Sequence, residues 1–320
     1  MKLNTILPVA LLILSSTACQ NDNEPNLTYP NDPDAIMINP TISAIQSRVN
    51  TLAEGNAWTE GDQIKVKMIA DDAVREKDAA VYKYATSWNI QGDNYMVWPS
   101  RSTSKTYTFQ AFYPYAVGTS TSYTKFVLPN DQSSATTGQH FIGNADWMLA
   151  ETTSAKADVV NLNFNHQLAK VIVTIKEYKD QYAGNLPNIS IPQFAIPTTL
   201  TIPAEKDITV ENNARLIKGL MKEDQSAAKL HTFTAVVIPG KYKTTDQFLT
   251  LQLNETTLNV KASDNAVLTQ TGLEAGKAYT FNLTLGKRGF SIGNVTVNDW
   301  GASDWSEGEH GGVADEVPSL

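Results

Sequence analysis

Residues 279–285 read Tyr-Thr-Phe-Asn-Leu-Thr-Leu, a strict alternation of apolar and polar side chains. Successive side chains of a β-strand point to opposite faces of a sheet. The four apolar residues would therefore share a buried face, while the two threonines and Asn282 face solvent. The segment predicts a half-buried β-strand.

The same pattern recurs along most of the chain. Further alternating examples are residues 63–68, 107–113 and 249–253, and residues 171–175 and 233–238 are apolar runs that also suit strands. The best helix candidate, residues 216–230, is polar and contains Gly219, so no long helix is expected. The sequence therefore predicts an all-β protein.

Many short strands separated by turn residues favour β-sandwiches, because a sheet with one apolar face must bury that face against a second layer. A chain of 320 residues is too long for one typical core, which favours two domains. We place them at residues 36–160 and 161–300, with the junction in polar sequence. Residues 301–320 are Gly-rich and acidic and would form a tail.

Charge and motif content argue against several functions. The net charge is −8 and no basic block is present, so nucleic acid is not an expected partner. The four histidines lie far apart and no His or Cys residues have metal-ligand spacing, so we expect no metal and no cofactor. Nucleophile-elbow, phosphate-loop and dinucleotide motifs are absent, so an enzyme is not predicted. A distant pair of carboxylates of the glycosidase kind stays open.

The N-terminus indicates export. Lys2 precedes the apolar run Ile6–Leu14, and small residues then lead to Cys19, the single cysteine of the chain. This pattern predicts a signal peptide over residues 1–18 and lipidation of Cys19 by acyl chains such as palmitate. Ser16 stands where Leu or Val is usual in a lipobox, so ordinary cleavage near Ala18 stays open. Residues 19–35 are polar and Pro-containing and are expected to form a tether.

Six segments, taken together, resemble the fimbrillin family of Bacteroidetes pilus proteins. They are Trp58-Thr-Glu-Gly-Asp-Gln-Ile-Lys-Val66, Tyr95-Met-Val-Trp98-Pro99, Tyr107-Thr-Phe-Gln-Ala-Phe-Tyr113-Pro114-Tyr115, Phe164-Asn-His166-Gln-Leu168-Ala-Lys170-Val171, Leu273-Glu-Ala-Gly276-Lys-Ala-Tyr279 and Val295-Thr-Val-Asn-Asp-Trp300. The resemblance implies two tandem transthyretin-like β-sandwich domains. It also implies a surface-exposed lipoprotein of the outer membrane that serves as a fimbrial subunit or adhesin. Expected partners are other fimbrial subunits or further copies of the chain, the membrane through the lipid anchor, and host glycans or proteins.

The resemblance further implies assembly by β-strand exchange. In family members that polymerise, an arginine-specific protease removes the first strand, and a strand from another subunit fills the groove. The matching segment is residues 36–49, in which Arg48 is the expected scissile residue. The groove-filling residues would be Ile36, Ile38, Ile42 and Ile45. An ordinary exposed role for Arg48 stays open.

The C-terminus leaves the assembly role open. Residues 301–320 contain few aliphatic side chains, whereas a donor strand should alternate them. Either residues 290–300 form the last strand or the donor, or the chain is a tip, base or non-polymerising relative.

Two other functions compete with the fimbrial one. A surface glycan-binding lipoprotein of a polysaccharide-uptake system would need an exposed row of aromatics, for which Trp58, Trp88, Tyr95 and Trp98 are the candidates. A surface hydrolase would need two acidic side chains in a cleft.

Overall fold

The structure, a computed structural model, describes residues 29–43, 58, 60–69, 79–91, 94–99, 106–114, 125–135, 140, 142–156, 159–183, 189–195, 199–200, 209–211, 216–223 and 231–300. Within these residues the chain forms twenty strands and four short helical segments. The strands are β1 (Ile38–Ile42), β2 (Gln63–Ile69), β3 (Ala79–Tyr84), β4 (Trp88–Ile90), β5 (Thr106–Tyr113), β6 (Lys125–Val127), β7 (Met148–Ala155), β8 (Val160–His166), β9 (Ala169–Tyr178), β10 (Ile189–Ala195), β11 (Thr199–Leu200), β12 (Thr209–Glu211), β13 (Leu216–Lys218), β14 (Leu220–Glu223), β15 (His231–Val237), β16 (Gly240–Lys241), β17 (Gln247–Leu253), β18 (Thr256–Lys261), β19 (Lys277–Gly286) and β20 (Gly289–Asp299). The helical segments are Ile142–Ala145, Asp180–Tyr182, Ala262–Asp264 and Val267–Thr271.

The all-β prediction is confirmed, and the period-two segments coincide with strands. Residues 279–285 lie inside β19, whose apolar side chains are all buried. The stretch considered as a helix, residues 216–230, contributes the short strands β13 and β14. None of the helical segments in the described part of the chain has the length and apolar character of a membrane span.

The first sheet has seven strands in the order β1-β8-β7-β5-β2-β3-β4. Inward side chains of β1, β2, β3, β5, β7 and β8 form one buried cluster with Met96 and Trp98, which we call the first core. Side chains from β1 and β8 belong to the same cluster as those from β2 and β5. The β1–β8 end of the sheet therefore closes over the core formed by its middle strands.

Two further sheets share a second core. Their orders are β14-β15-β9-β19-β20 and β13-β10-β17-β18. We define the second core as the buried side chains of β9, β15, β17 and β19 with those packed on them. Phe281 of β19 and Phe248 of β17 lie with ring centroids 4.9 Å apart, so the two sheets face each other as in a sandwich. Two short pairs, β11–β16 and β6–β12, complete the described strands.

The strands up to β8, apart from β6, form the first sheet, and the strands from β9 onward belong to the other sheets. Residues 125–135, which include β6, instead pair with strands that follow β9. β6 pairs in parallel with β12, and Gln132 N donates to the carbonyl of Lys218 at 2.8 Å. The Gln132 side chain also hydrogen-bonds the backbone of β15 at Val236. The domain junction near residue 160 stays a prediction.

Candidate functional site

The expected exchangeable strand is an edge strand in the structure. β1 pairs in parallel with β8, in the register Ile38 opposite Val160 through Ile42 opposite Phe164. It lies at the end of the strand order, so β8 is its one strand partner within the described residues. The backbone hydrogen bonds from Val160 N to Met37 O (2.8 Å) and from Ser43 N to Phe164 O (2.7 Å) extend the pairing at both ends.

The inward face of this strand is apolar. Ile38 and Ile42 of β1 are 9% and 7% exposed, and Ile36, two residues before the strand, is 0% exposed; all three belong to the first core. Pro40 also faces inward and is buried. Complete burial of one such aliphatic side chain stabilises a fold by roughly 1.5–3 kcal/mol. The segment is therefore held mainly by the insertion of these side chains into the core.

Trp58 is part of the surface on which β1 packs. Its indole nitrogen donates to the carbonyl of Pro40 at 2.9 Å. Its ring lies edge-on to Phe164 of β8, with centroids 5.2 Å apart, and to Trp88 at 5.0 Å. The sequence marked Trp58 as a motif residue, but only the structure connects it to β1.

The outward face of β1 is polar and pairs with the outward face of β8. Asn39 Nδ2 donates to Asn161 Oδ1 at 2.9 Å. The hydroxyl of Thr41 lies 3.4 Å from Asn163 Oδ1. Side-chain contacts across the strand pair therefore accompany the backbone ladder at two successive outward positions.

The segment before β1 is also attached to the first group of strands. Ile36 N donates to Met96 O at 2.9 Å, and Trp98 N donates to Asp34 O at 3.0 Å. The ammonium group of Lys156 forms an ion pair with Asp34. Residues 29–35, which the sequence assigned to the tether, thus pack against the fold, and a tether would end before Tyr29.

Asp32 anchors the same segment to Tyr95. The Tyr95 hydroxyl donates to Asp32 Oδ2 at 2.8 Å, and this hydrogen bond raises the pKa of Tyr95. Tyr29 packs at 6.0 Å from the Tyr95 ring and 6.2 Å from that of Tyr82. An aromatic and hydrogen-bonded contact thus secures the chain ahead of β1.

β8 depends on β1 for its backbone pairing. Its other neighbour, β7, pairs with it only at Asn165 and His166, opposite Leu149 and Met148. Residues 160–164 of β8 therefore have β1 as their strand partner among the described residues. Loss of β1 would leave these backbone groups open to another strand.

A buried polar contact centred on His166, which we call the His166 joint, lies at the end of β8. His166 Nδ1 lies 2.7 Å from Asp146 Oδ1, with side-chain exposures of 2% and 5%. The His166 ring stacks on Trp300 at 4.5 Å with an interplanar angle of 11°. Gly276 N donates to Leu168 O and Trp300 N donates to Gly276 O, each at 2.9 Å.

This joint brings together three of the six family-like segments, those containing His166, Gly276 and Trp300. Nothing in the three sequences themselves indicates that they meet in the fold. The available signal was the alternation of β8, because His166 follows Phe164 at an inward position.

Other predicted site residues fall into two groups. Cys19, Ile45 and Arg48 lie outside the described residues. Of the aromatics considered for glycan binding, Trp98 is 5% exposed and belongs to the first core, while Trp58 and Trp88 pack against it. These side chains form no exposed row. In the described ranges, no group of three or more His, Cys, Asp or Glu residues could hold a metal ion.

Stacked sheets with an edge strand docked in parallel define an all-β protein of the sandwich class. The fimbrillin-like family model matches residues 48–300, so the chain belongs to the fimbrillin-like family. The resemblance seen in the sequence is thereby confirmed. Among curated proteins, none matches the chain.

Solved structures similar to this chain come from Bacteroides and Porphyromonas species. A candidate cell adhesion protein from Bacteroides uniformis is 18% identical, with a TM-score of 0.59 over 83% of this chain and 98% of that one. A second such protein, from Bacteroides ovatus, is 20% identical, with a TM-score of 0.52 over 83% and 97%. The fimbrial anchor protein Mfa2 from Porphyromonas gingivalis is 10% identical, with a TM-score of 0.41 over 84% and 98%. At these identities the first two similarities show the fold.

Proposed function

We propose that this protein is a fimbrial subunit or adhesin of the cell surface, anchored through acyl chains on Cys19 and assembled by strand exchange at β8. Family membership supports the fimbrial role. The observation that carries the mechanism is the position of β1, an edge strand whose apolar face fills the first core and whose one described strand partner is β8.

The chemistry of exchange follows from this arrangement. Cleavage at Arg48 would separate β1 from β2 in the chain and leave β1 held by non-covalent contacts alone. If β1 left, the apolar surface that its isoleucines cover and the backbone edge of β8 would both become exposed. An incoming strand could satisfy both, since backbone hydrogen bonds supply affinity and alternate side-chain pockets fix the register.

Limited digestion with an arginine-specific protease tests this mechanism. Cleavage at Arg48 is expected to allow a peptide of residues 34–43 to exchange with β1, and to allow copies of the protein to associate, as measured by light scattering. Arg48→Ala should block both effects, whereas Arg75→Ala should preserve them. Cleaved protein that stays monomeric and exchanges no peptide would contradict the proposal.

The lipid anchor is tested separately. Mass spectrometry of the N-terminal peptide from the native surface is expected to show an acylated Cys19. Cys19→Ala should move the protein from the membrane fraction to the soluble fraction. A mature N-terminus that begins elsewhere, without acyl chains, would argue for ordinary signal-peptide cleavage.

The proposal assigns the protein a binding role with no enzymatic activity. It also favours fimbrial assembly over glycan uptake, because Trp58 hydrogen-bonds Pro40 and packs against β1, where it serves the docking of that strand. A glycan array provides the direct comparison. Tight binding that depended on Trp88 would support the glycan-binding alternative instead.

A further inference from the structure

We propose that a row of asparagines on β8 selects the strand that pairs with it. The row favours an incoming strand that carries uncharged amide or hydroxyl side chains at its outward positions. This inference rests on the proposed strand exchange and specifies the chemistry of the partner.

The row consists of Asn161, Asn163 and Asn165, which occupy every outward position of β8 before His166. All three are exposed, while Val160, Leu162 and Phe164 between them are buried. Asparagine is depleted in β-strands, where Thr, Val and aromatic residues are preferred. Three asparagines in one strand go against local propensity, and such departures are expected at functional sites.

The contacts of β1 show which side chains pair with this row. Asn39 and Thr41 stand directly opposite Asn161 and Asn163 in the parallel register, and both pairs are within hydrogen-bond distance. A side-chain amide carries donors and an acceptor, so it can match either another amide or a hydroxyl. An ammonium group only donates and a carboxylate only accepts, so either one matches half of that capacity.

The absence of charge along the two strands also favours a neutral partner. Residues 160–165 of β8 carry no charged side chain, and neither does β1. Edge strands are usually protected from wrong partners by charged side chains such as Lys. Here the asparagine row supplies discrimination through hydrogen bonding. The partner is therefore a strand with apolar inward residues and neutral, hydrogen-bonding outward residues.

A peptide-exchange experiment tests the inference. A site for a sequence-specific protease is inserted within residues 50–56, so that opening the groove does not depend on Arg48. A labelled peptide of residues 34–43 is then competed, at physiological salt, with unlabelled peptides. One has the native sequence, and one carries Asn39→Lys and Thr41→Lys. A control carries two lysines appended beyond the paired residues, which matches the charge without changing the outward face.

The doubly substituted peptide is expected to compete about 5- to 20-fold more weakly than the appended-lysine control. In protein carrying Asn161→Asp and Asn163→Asp, this order should reverse, because the lysines then face carboxylates. Should that variant fail to fold, as judged by circular dichroism, the competition measured on the protein with the native asparagines still tests the inference.

The outcomes separate the two proposals. Equal competition by all peptides on the native row would overturn the role of the asparagines and leave strand exchange intact. Failure of even the native peptide to bind the opened protein would overturn strand exchange itself.

Discussion

At the scale of single residues, the buried side chain of Gln132 hydrogen-bonds to β15 as a neighbouring strand would. Its amide donates to Val236 O at 3.0 Å and to Pro129 O at 3.1 Å, and it accepts from Val236 N at 2.8 Å. Gln132 is 0% exposed. One amide thereby completes the edge of β15 beyond the end of β14.

Gln132→Ala should lower the free energy of unfolding by about 2–4 kcal/mol, because it leaves buried backbone groups of Val236 without these partners. Urea denaturation measures the change. Gln110→Ala is the control, since Gln110 bonds Glu151 at an exposed position and should cost less than about 0.5 kcal/mol. Equal costs for the two variants would refute this account of Gln132.

Gly219 permits the passage from β13 in one sheet to β14 in the facing sheet. A Cβ atom there would lie 2.5 Å from Phe194 Cε2 and 2.8 Å from Thr234 O. Gly219→Ala should therefore cost about 1–3 kcal/mol of stability through overpacking. Gly293→Ala is the matched control, because its Cβ would come no closer than 3.4 Å to Asn282 O. Thermal unfolding of both variants measures the difference.

At the scale of elements, β1 is held by its inward residues. Ile36→Ala removes a fully buried side chain two residues before the strand and should cost about 2–4 kcal/mol. Thr41→Ala, on the exposed face, should cost less than about 0.5 kcal/mol. Hydrogen exchange should also show faster opening of the Val160 amide in the first variant. An unchanged rate there would mean that β1 contributes little to the order of β8.

The segment before β1 should depend on Lys156. Its ion pair with Asp34 has side-chain exposures of 24% and 30%, whereas the pair of Lys179 with Glu177 has exposures of 55% and 52%. Exposed pairs contribute about 0–1 kcal/mol. Lys156→Met should therefore increase exchange of the Ile36 amide, and Lys179→Met should leave it unchanged. An unchanged rate in Lys156→Met would show that the ion pair does not hold the segment.

The sequence predicted where strands lie better than it predicted which strands pair with each other. Alternation at residues 64–68 and 279–285 identified β2 and β19, because period two fixes which face of a strand is buried. It says nothing about which strand lies alongside. The pairing of Asn39 with Asn161 spans 122 residues, and that of Gln132 with Val236 spans 104. Such contacts are set by the packing of the complete chain.

At the scale of the whole molecule, the His166 joint connects the end of β8 to the end of β20. Trp300 is 2% exposed and stacks on the imidazole. Trp300→Ala should lower stability by about 3–5 kcal/mol, whereas Trp300→Phe keeps a ring against His166 and should cost less than about 1.5 kcal/mol. Calorimetry of both variants measures the effect. Equal losses would show that the stacking is incidental.

The parallel pairing of β1 with β8 also sets an order in time. Asn39 of β1 and its partner Asn161 of β8 are 122 residues apart in the chain. Contacts so distant in sequence form late during folding, after local hairpins have closed. β1 would thus dock late during folding, and weakening its contacts should hasten unfolding while leaving the folding rate nearly unchanged.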